Sequence, residues 1–360
     1  MVSAPRRLNV LVVDDSAVVR QTLLAILSQE PDVSVAVAAD PLIARSKIAR
    51  ERPDVIVLDL EMPRMDGLTF LRALMAEDPI PVVICSGLTV AGAEHAMRAL
   101  EEGAVSIVTK PKIAVREFLH ESAVTLVDAV RAAAEARLPR RRVRAAAAPP
   151  APRRPRLLPG EGAPGVIAIG ASAGGTDALR VVLEAFPATA PGTVVVQHMP
   201  ETFTATFAAR LDSLCAVRVK EAENGDLVVP GRVLIAPGNR HLTVRRLRGA
   251  LVAEVTDGPL VSRHRPSVDV LFRSVAECAG AAAIGAILTG MGADGAAGLL
   301  EMKTAGARTL AQDEASCVVF GMPKEAIARG AAQRVVSLDA MAAAILGGEH
   351  TVGHRPARRA

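Results

Sequence analysis

The chain has no tryptophan, no tyrosine and only seven phenylalanines among 360 residues. So little aromatic surface for stacking bases weakens any single-stranded nucleic-acid reading. Its four cysteines, Cys85, Cys215, Cys278 and Cys317, lie far apart with no C-x-x-C pair. That argues against a zinc site and a disulfide framework, and suits a reducing cytoplasm. No stretch approaches the roughly 18 uninterrupted apolar residues of a membrane span, and the start MVSAPRRLNVLVVDDS has only a short apolar run that ends in acids. Neither a signal peptide nor membrane insertion is expected. Charge is also unevenly spread along the chain. The basic charge behind the net +4 is concentrated in RLPRRRVRAAAAPPAPRRPR, Arg137 to Arg156, and in the tail HRPARRA.

What the chain does have is length for two domains and a repeated alternation of apolar runs with helical patterns. Leu8 to Val13, Val33 to Ala38, Val55 to Leu58, Val82 to Cys85 and Val105 to Val108 read as strands, and a last helix reads from about Ala114 to Arg137. Strands alternating with helices imply βαβ units and a parallel sheet covered on both faces. The Pro, Ala and Arg mixture that follows cannot bury enough apolar surface to fold and reads as a semi-rigid linker. A basic nucleic-acid patch is the alternative, but arginines in linkers are more often solvated charge. Alternation resumes at Val166 to Ile169, Thr193 to Gln197, Ala283 to Leu288 and Arg308 to Ala311, with a hairpin at His241 to Leu247 and Leu251 to Thr256 around Arg248-Gly249-Ala250. The expected organisation is a first domain over 1–135, a linker over 136–164, a second domain over 165–349 and a basic tail over 350–360. The expected fold class is α/β. The first domain carries a five-stranded parallel sheet, and the second is doubly wound, with a mostly parallel sheet and the inserted hairpin.

In the first domain, Asp14 and Asp15 end the first strand and Asp59 ends the third, in VIVLDLEMPRMDG. The carboxyl ends of parallel strands share one edge, so the three carboxylates should converge there. Packed acids repel unless a cation joins them, and all-oxygen ligands suit Mg²⁺. Ser86 ends the fourth strand and Lys110 the fifth, where a hydroxyl and an ammonium could hold phosphoryl oxygens. A helix N-cap is the bland role for a lone Asp at a strand end, but five such residues at strand ends make it a poor account of the set. Over residues 8 to 130 the chain resembles the receiver domain of two-component response regulators, which has a flavodoxin-like fold. The resemblance implies that Asp59 is phosphorylated and that Asp14, Asp15 and Asp59 bind Mg²⁺ with the Glu61 backbone carbonyl. It also implies that Ser86 and Lys110 contact the phosphoryl group. Ile107 stands where receivers commonly place an aromatic residue, which puts an aromatic rotamer switch in question.

The second domain opens with VIAIGASAGGTDAL, Val166 to Leu179, an apolar run that stops in small residues around one hydroxyl. Gly170-Ala171-Ser172-Ala173-Gly174 fits the G-x-S-x-G nucleophile elbow. Taken alone, the same residues could cradle a phosphate or be only a tight turn. His198 follows the strand Thr193 to Gln197, and Asp294 follows the strand Ala283 to Leu288. A hydroxyl, an imidazole and a carboxylate thus share one sheet edge, the parts needed to activate a serine. His241 and His264 are competing bases, placed in the hairpin region and a loop, where a binding or solvated role is expected. A dinucleotide site would want an acid about 20 residues past the turn, and none stands between Glu184 and Glu201.

Here the chain resembles the catalytic domain of the chemotaxis protein-glutamate methylesterases, and the two-domain order matches that family over residues 8 to 346. IGASAGGT, VVQHMP, ENGDLVVPGRVLIAPGNRHL, HRPSVDVLF, ILTGMGADGAAGL and AQDEASCVVFGMPKEAI carry the likeness. The resemblance implies Ser172 as nucleophile, His198 as base, Asp294 as its orienting acid and the Met291 backbone N–H in the oxyanion hole. Ala173 departs from the threonine of the family's enterobacterial form, and the linker is longer and more basic than the pattern needs. The implied function is hydrolysis of glutamyl 5-O-methyl esters on methyl-accepting chemotaxis receptors, with receptor-glutamine deamidation as a second reaction. Phosphorylation by the chemotaxis histidine kinase would activate it, with Mg²⁺ serving the receiver and no cofactor serving the esterase. Two rivals stand beside it, a DNA-binding response regulator and a phospho-dependent scaffold without esterase work. No DNA partner is expected, because strands rather than a recognition helix follow the linker.

Overall fold

The computed structural model describes residues 7–62, 66–87, 89–111, 116–138 and 165–347. Most of the linker and the whole basic tail therefore lie outside the described residues. The first half alternates β1 (Leu8–Val13), α1 (Ala17–Leu27), β2 (Val33–Ala38), α2 (Pro41–Arg50), β3 (Val55–Leu58), α3 (Gly67–Glu77), β4 (Val82–Ser86), α4 (Val90–Glu101), β5 (Ser106–Thr109) and α5 (Arg116–Ala134). Its five strands pair in parallel in the order β2-β1-β3-β4-β5. Because β1 and β3 are neighbours, Asp14 and Asp59 leave the sheet side by side. Ser16, Asp40, Asp66 and Thr89 each accept a backbone N–H at the first turn of α1 to α4, so the sequence marks every one of these helix starts.

The second half runs β6 (Val166–Ala171), α6 (Gly175–Glu184), β7 (Thr193–Gln197), α7 (Glu201–Leu214), β8 (Arg218–Glu221), β9 (Arg232–Ile235), β10 (His241–Leu247) and β11 (Ala250–Thr256). It continues with α8 (Val268–Ala279), β12 (Ala283–Ile287), α9 (Ala296–Thr304), β13 (Arg308–Gln312), α10 (Met322–Ala328), β14 (Arg334–Val336) and α11 (Leu338–Ile345). Seven strands form a parallel sheet in the order β14-β13-β12-β6-β7-β9-β8. The chain starts in the middle and winds outward both ways, so a topological switch point falls beside β6. β6, β7 and β12 are buried along their whole length, as expected for central strands covered on both faces. The expected hairpin is β10-β11, closed by Arg248 and Gly249 alone, both at positive φ. The edge strands β8 and β14 escape the sequence reading, being short and largely exposed or half-buried.

The two halves touch through α4 and β5 of the first and the carboxyl edge of the second. Val105 and Val108 share an apolar cluster with Ala173 and Val319, and Met97 packs in one cluster with Phe207 and Leu211. The Gly174 N–H donates to the Val105 carbonyl at 3.1 Å, and Arg210 pairs with Glu101 at 2.8 Å. Arg137 donates its backbone N–H to Val318 and pairs with Glu314.

Candidate active site

Ser172 leaves β6 into a turn that needs glycine at both ends. A Cβ on Gly170 would overlap Val268, and Gly174 sits at φ +73° with Val318 against the space a side chain would fill. The turn is fixed through its backbone: Ser172 N–H donates to Thr289, and its carbonyl accepts from Gly175 N–H and Gln197 Nε2. Ser172 itself is only partly buried. His198 follows β7, the strand next to β6, and its N–H donates to the Ala171 carbonyl. Ser172 and His198 line one cavity of about 230 Å³.

Asp294 lies in the loop after β12, on the other side of β6. Its Oδ2 is 2.8 Å from His198 Nε2 and accepts from Val268 N–H, while its Oδ1 accepts from the Ser267 hydroxyl and Asp269 N–H. The carboxylate thus sits on the N-terminus of α8, where orphan amides and the helix dipole favour an anion. Burial alone would raise its pKa. The hydrogen bond and charge of His198, with the Ser267 and Val268 donors, outweigh burial and hold it at about 2. His198 Nδ1 is buried and has no hydrogen-bond partner among the described residues. With Nε2 occupied by Asp294, Nδ1 is the nitrogen open to a proton from a neighbouring hydroxyl.

Of the binding or solvated roles expected for His241 and His264, neither histidine takes the solvated one. His241 is buried, with Nε2 against the Pro259 carbonyl and Nδ1 accepting from Ser267 N–H, so it braces the segment that holds Asp294. His264 stacks on His198. Gln197, Ser267 and Thr289 also escaped the sequence reading. Ser267 carried a readable sign, a serine just before the apolar run of α8, but nothing local pointed it at Asp294.

In the first half, Asp14, Asp15 and Asp59 bring carboxylate oxygens within 4.8 Å of one another. Lys110 Nζ lies 2.8 Å from Asp59 and 3.0 Å from Asp14. The two shifts in this cluster pull differently: burial dominates at Asp59 and raises its pKa, whereas on Lys110 the two carboxylates overcome burial and hold the proton. One ammonium therefore leaves the buried acids short of positive charge. Among the described residues, Asp14 Oδ2 and Asp59 Oδ2 have no hydrogen bond beyond the Lys110 ion pairs, and the Ser86 hydroxyl is buried without a partner. Glu61 N–H donates to Asp59 Oδ1, which brings the Glu61 peptide to the same edge. Oxygen ligands with unmet charge and unpaired polar atoms fit a hard divalent cation and a phosphoryl group.

A larger cavity of about 390 Å³ lies between α4 and α6–α7. Its carboxylates Glu101 and Asp177 are taken up in ion pairs with Arg210 and Arg180.

Comparison with known proteins gives the family. The family described as CheB methylesterase matches residues 167–345, and the response regulator receiver domain matches residues 10–121. Protein-glutamate methylesterase/protein-glutamine glutaminase 1 of Anaeromyxobacter dehalogenans is 59% identical over 351 residues, covering 95% of this chain and 99% of that protein. The chain belongs to the CheB methylesterase family. A second relative, protein-glutamate methylesterase/protein-glutamine glutaminase 2 of Albidiferax ferrireducens, is 56% identical and covers 93% of this chain and 99% of its own. The crystal structure of the Thermotoga maritima CheB methylesterase catalytic domain is 38% identical and covers 51% of this chain and 98% of that one, with a TM-score of 0.50. In this member Ile107 lines the Ser172 cavity, and Ala173 is buried in the cluster shared with Val105.

Proposed function

We propose that the chain is a phosphorylation-activated serine esterase that hydrolyses glutamyl methyl esters on methyl-accepting chemotaxis receptors to glutamate and methanol, and deamidates receptor glutamines by the same chemistry. The observation that carries it is the His198–Asp294 pair at 2.8 Å, with Ser172 and His198 lining one cavity. Family membership supports the substrate class. Ser172 Oγ attacks the ester carbonyl as His198 Nδ1 takes its proton. The tetrahedral intermediate collapses when His198 returns that proton to the departing methoxide, releasing methanol. Water, deprotonated by His198, then attacks the acyl-enzyme, and glutamate leaves as Ser172 regains its proton. The Met291 N–H, to which no described carbonyl is bonded, serves the oxyanion. No cofactor enters these steps.

Control follows from the contact between the halves. The receiver backbone takes an elbow amide, Gly174 N–H to Val105, and Leu100, Val105, Ser106 and Ile107 line the Ser172 cavity. With receiver residues forming one wall of that cavity, a receptor segment cannot enter until the receiver moves. Asp59 takes the phosphoryl group from the chemotaxis histidine kinase; Asp14, Asp15, Asp59 and the Glu61 carbonyl would hold Mg²⁺, which would supply charge neutralisation there. Ser86 and Lys110 hold the phosphoryl oxygens. The interface ion pairs Arg210–Glu101 and Arg137–Glu314 are half exposed and worth no more than about 1 kcal/mol each. Moving a two-state balance from 1:99 to 99:1 takes about 5.5 kcal/mol, within reach of a dianion placed in a cluster this polar. The domains proposed from the sequence, 1–135, 136–164, 165–349 and 350–360, fit this mechanism, the linker serving as a tether. The cytoplasm is the compartment this reading requires, and no helix among the described residues is long and apolar enough to cross a membrane.

Two results are expected. A small phosphodonor with Mg²⁺ should raise methanol release by the full chain by the order of tenfold, a typical coupling, and Asp59→Asn should abolish that rise. A fragment beginning near Gly165 should release methanol faster than the unphosphorylated full chain, measured on the same methylated receptor; equal rates would overturn the covering role of the receiver.

A further inference from the structure

His264 is an imidazole at the site for which the esterase mechanism leaves no task. It sits in the loop between β11 and α8, with its ring centroid 3.8 Å from that of His198 and the two planes 15° apart. The loop is built to hold it there. Val261 and His264 exchange backbone hydrogen bonds at 2.9 and 3.1 Å around Ser262 and Arg263, which both adopt left-handed backbone at φ +51° and +67°. Non-glycine residues in that region are strained, and such strain persists where the surroundings over-determine it. Arg263 also reaches Asp128 of α5 at 3.4 Å, so the loop is tied at its tip. Burial first, and the neighbouring His198 charge second, push the His264 pKa down to about 3, so its ring stays neutral and does not compete for the serine proton.

A single hydrogen bond does not orient an imidazole. The last torsion of histidine is broad, and the Nε2 contact to Asp294 leaves the ring free to rock about that axis, carrying Nδ1 away from Ser172. A flat partner stacked on the face removes that freedom. We propose that His264 is a positioning residue whose stacked ring holds the His198 imidazole in the plane where Nε2 meets Asp294 and Nδ1 faces Ser172. A neutral π-face also suits the imidazolium formed during attack. The inference rests on His198 being the base.

The test is methanol release from methylated receptor by the full chain with phosphodonor and Mg²⁺, comparing His264→Ala, His264→Leu and His264→Phe. Alanine and leucine are expected to lower kcat by about 10- to 100-fold with KM within about twofold, because misplacement by an ångström costs about that much. Phenylalanine, flat but unable to titrate, should recover kcat to within a few-fold of the parent. Leucine fills the volume without a flat face, so a leucine variant as fast as phenylalanine would overturn stacking in favour of packing. Phenylalanine as slow as alanine would overturn it in favour of a role for the ring nitrogens. Alanine at the parent rate would overturn it outright. His198→Ala separates the two levels: activity surviving there removes the base itself, whereas its loss beside a parent-like His264→Ala sinks only the positioning role.

Discussion

Replacing Ser172 with alanine is expected to lower kcat for methanol release by about 10⁴ to 10⁶, the range for loss of a triad nucleophile, while the fold stays intact. The substitution removes only Oγ, and that atom donates or accepts no bond that holds the turn together. The backbone bonds from Thr289, Gly175 and Gln197 all stay. Thermal melting should therefore shift little while the rate collapses. A loss below about a hundredfold would mean that water is activated by His198 without a covalent intermediate. It would return the Gly-rich turn to one of its other meanings, an anion cradle or a tight bend. A phospho-dependent scaffold, the rival that the receiver alone would explain equally well, predicts no methanol from the parent under any condition.

Asp294→Asn should cost about 10⁴ in kcat, because the imidazole then adopts the wrong tautomer. The structure adds a stability effect that the chemistry alone does not require. Four donors converge on the Asp294 carboxylate, from His198, Ser267, Val268 and Asp269. An asparagine offers one acceptor oxygen and turns an NH₂ toward donors. The variant should lose on the order of 2 kcal/mol at neutral pH, from linkage between the folded-state pKa near 2 and the ordinary carboxylate value. The sign follows from the depressed pKa. The stabilisation is fully present above about pH 4 and is lost as the pH falls through about 2. Urea unfolding at pH 7 and again near pH 2.5 should find parent and variant well apart at the first and closer at the second. A gap that widens on acidification would overturn this account of how Asp294 is held.

These two substitutions also separate catalysis from control. Both should abolish the rate whether or not Asp59 is phosphorylated, since neither residue belongs to the receiver. Asp59→Asn should leave the basal rate in place and remove only its stimulation. Phosphodonor-dependent activity that survived Asp59→Asn would move the phosphorylation site elsewhere and detach the acidic cluster from regulation.

Much of this was legible along the chain because the chemistry sits at strand ends. A strand buried on both faces writes itself as a short apolar run, and the residue that follows is polar only if something uses it. That rule alone located Asp14, Asp59, Ser86 and Lys110 in one half, and Ser172 and His198 in the other, and the parallel order of the sheets brought each group to one edge. What the chain could not say is what stands beside a residue that its own segment does not explain. His264 and Ser267 lie in a loop whose sequence reads as polar and exposed. Only the tertiary structure lays one against His198 and points the other at Asp294, because those contacts join segments more than 25 residues apart. The closure of Val105 over the Ser172 elbow is likewise invisible in either half alone. The bond from Gly174 N–H to Val105 joins two domains across an interface of backbone and small apolar groups, and such groups carry no pattern that announces a partner.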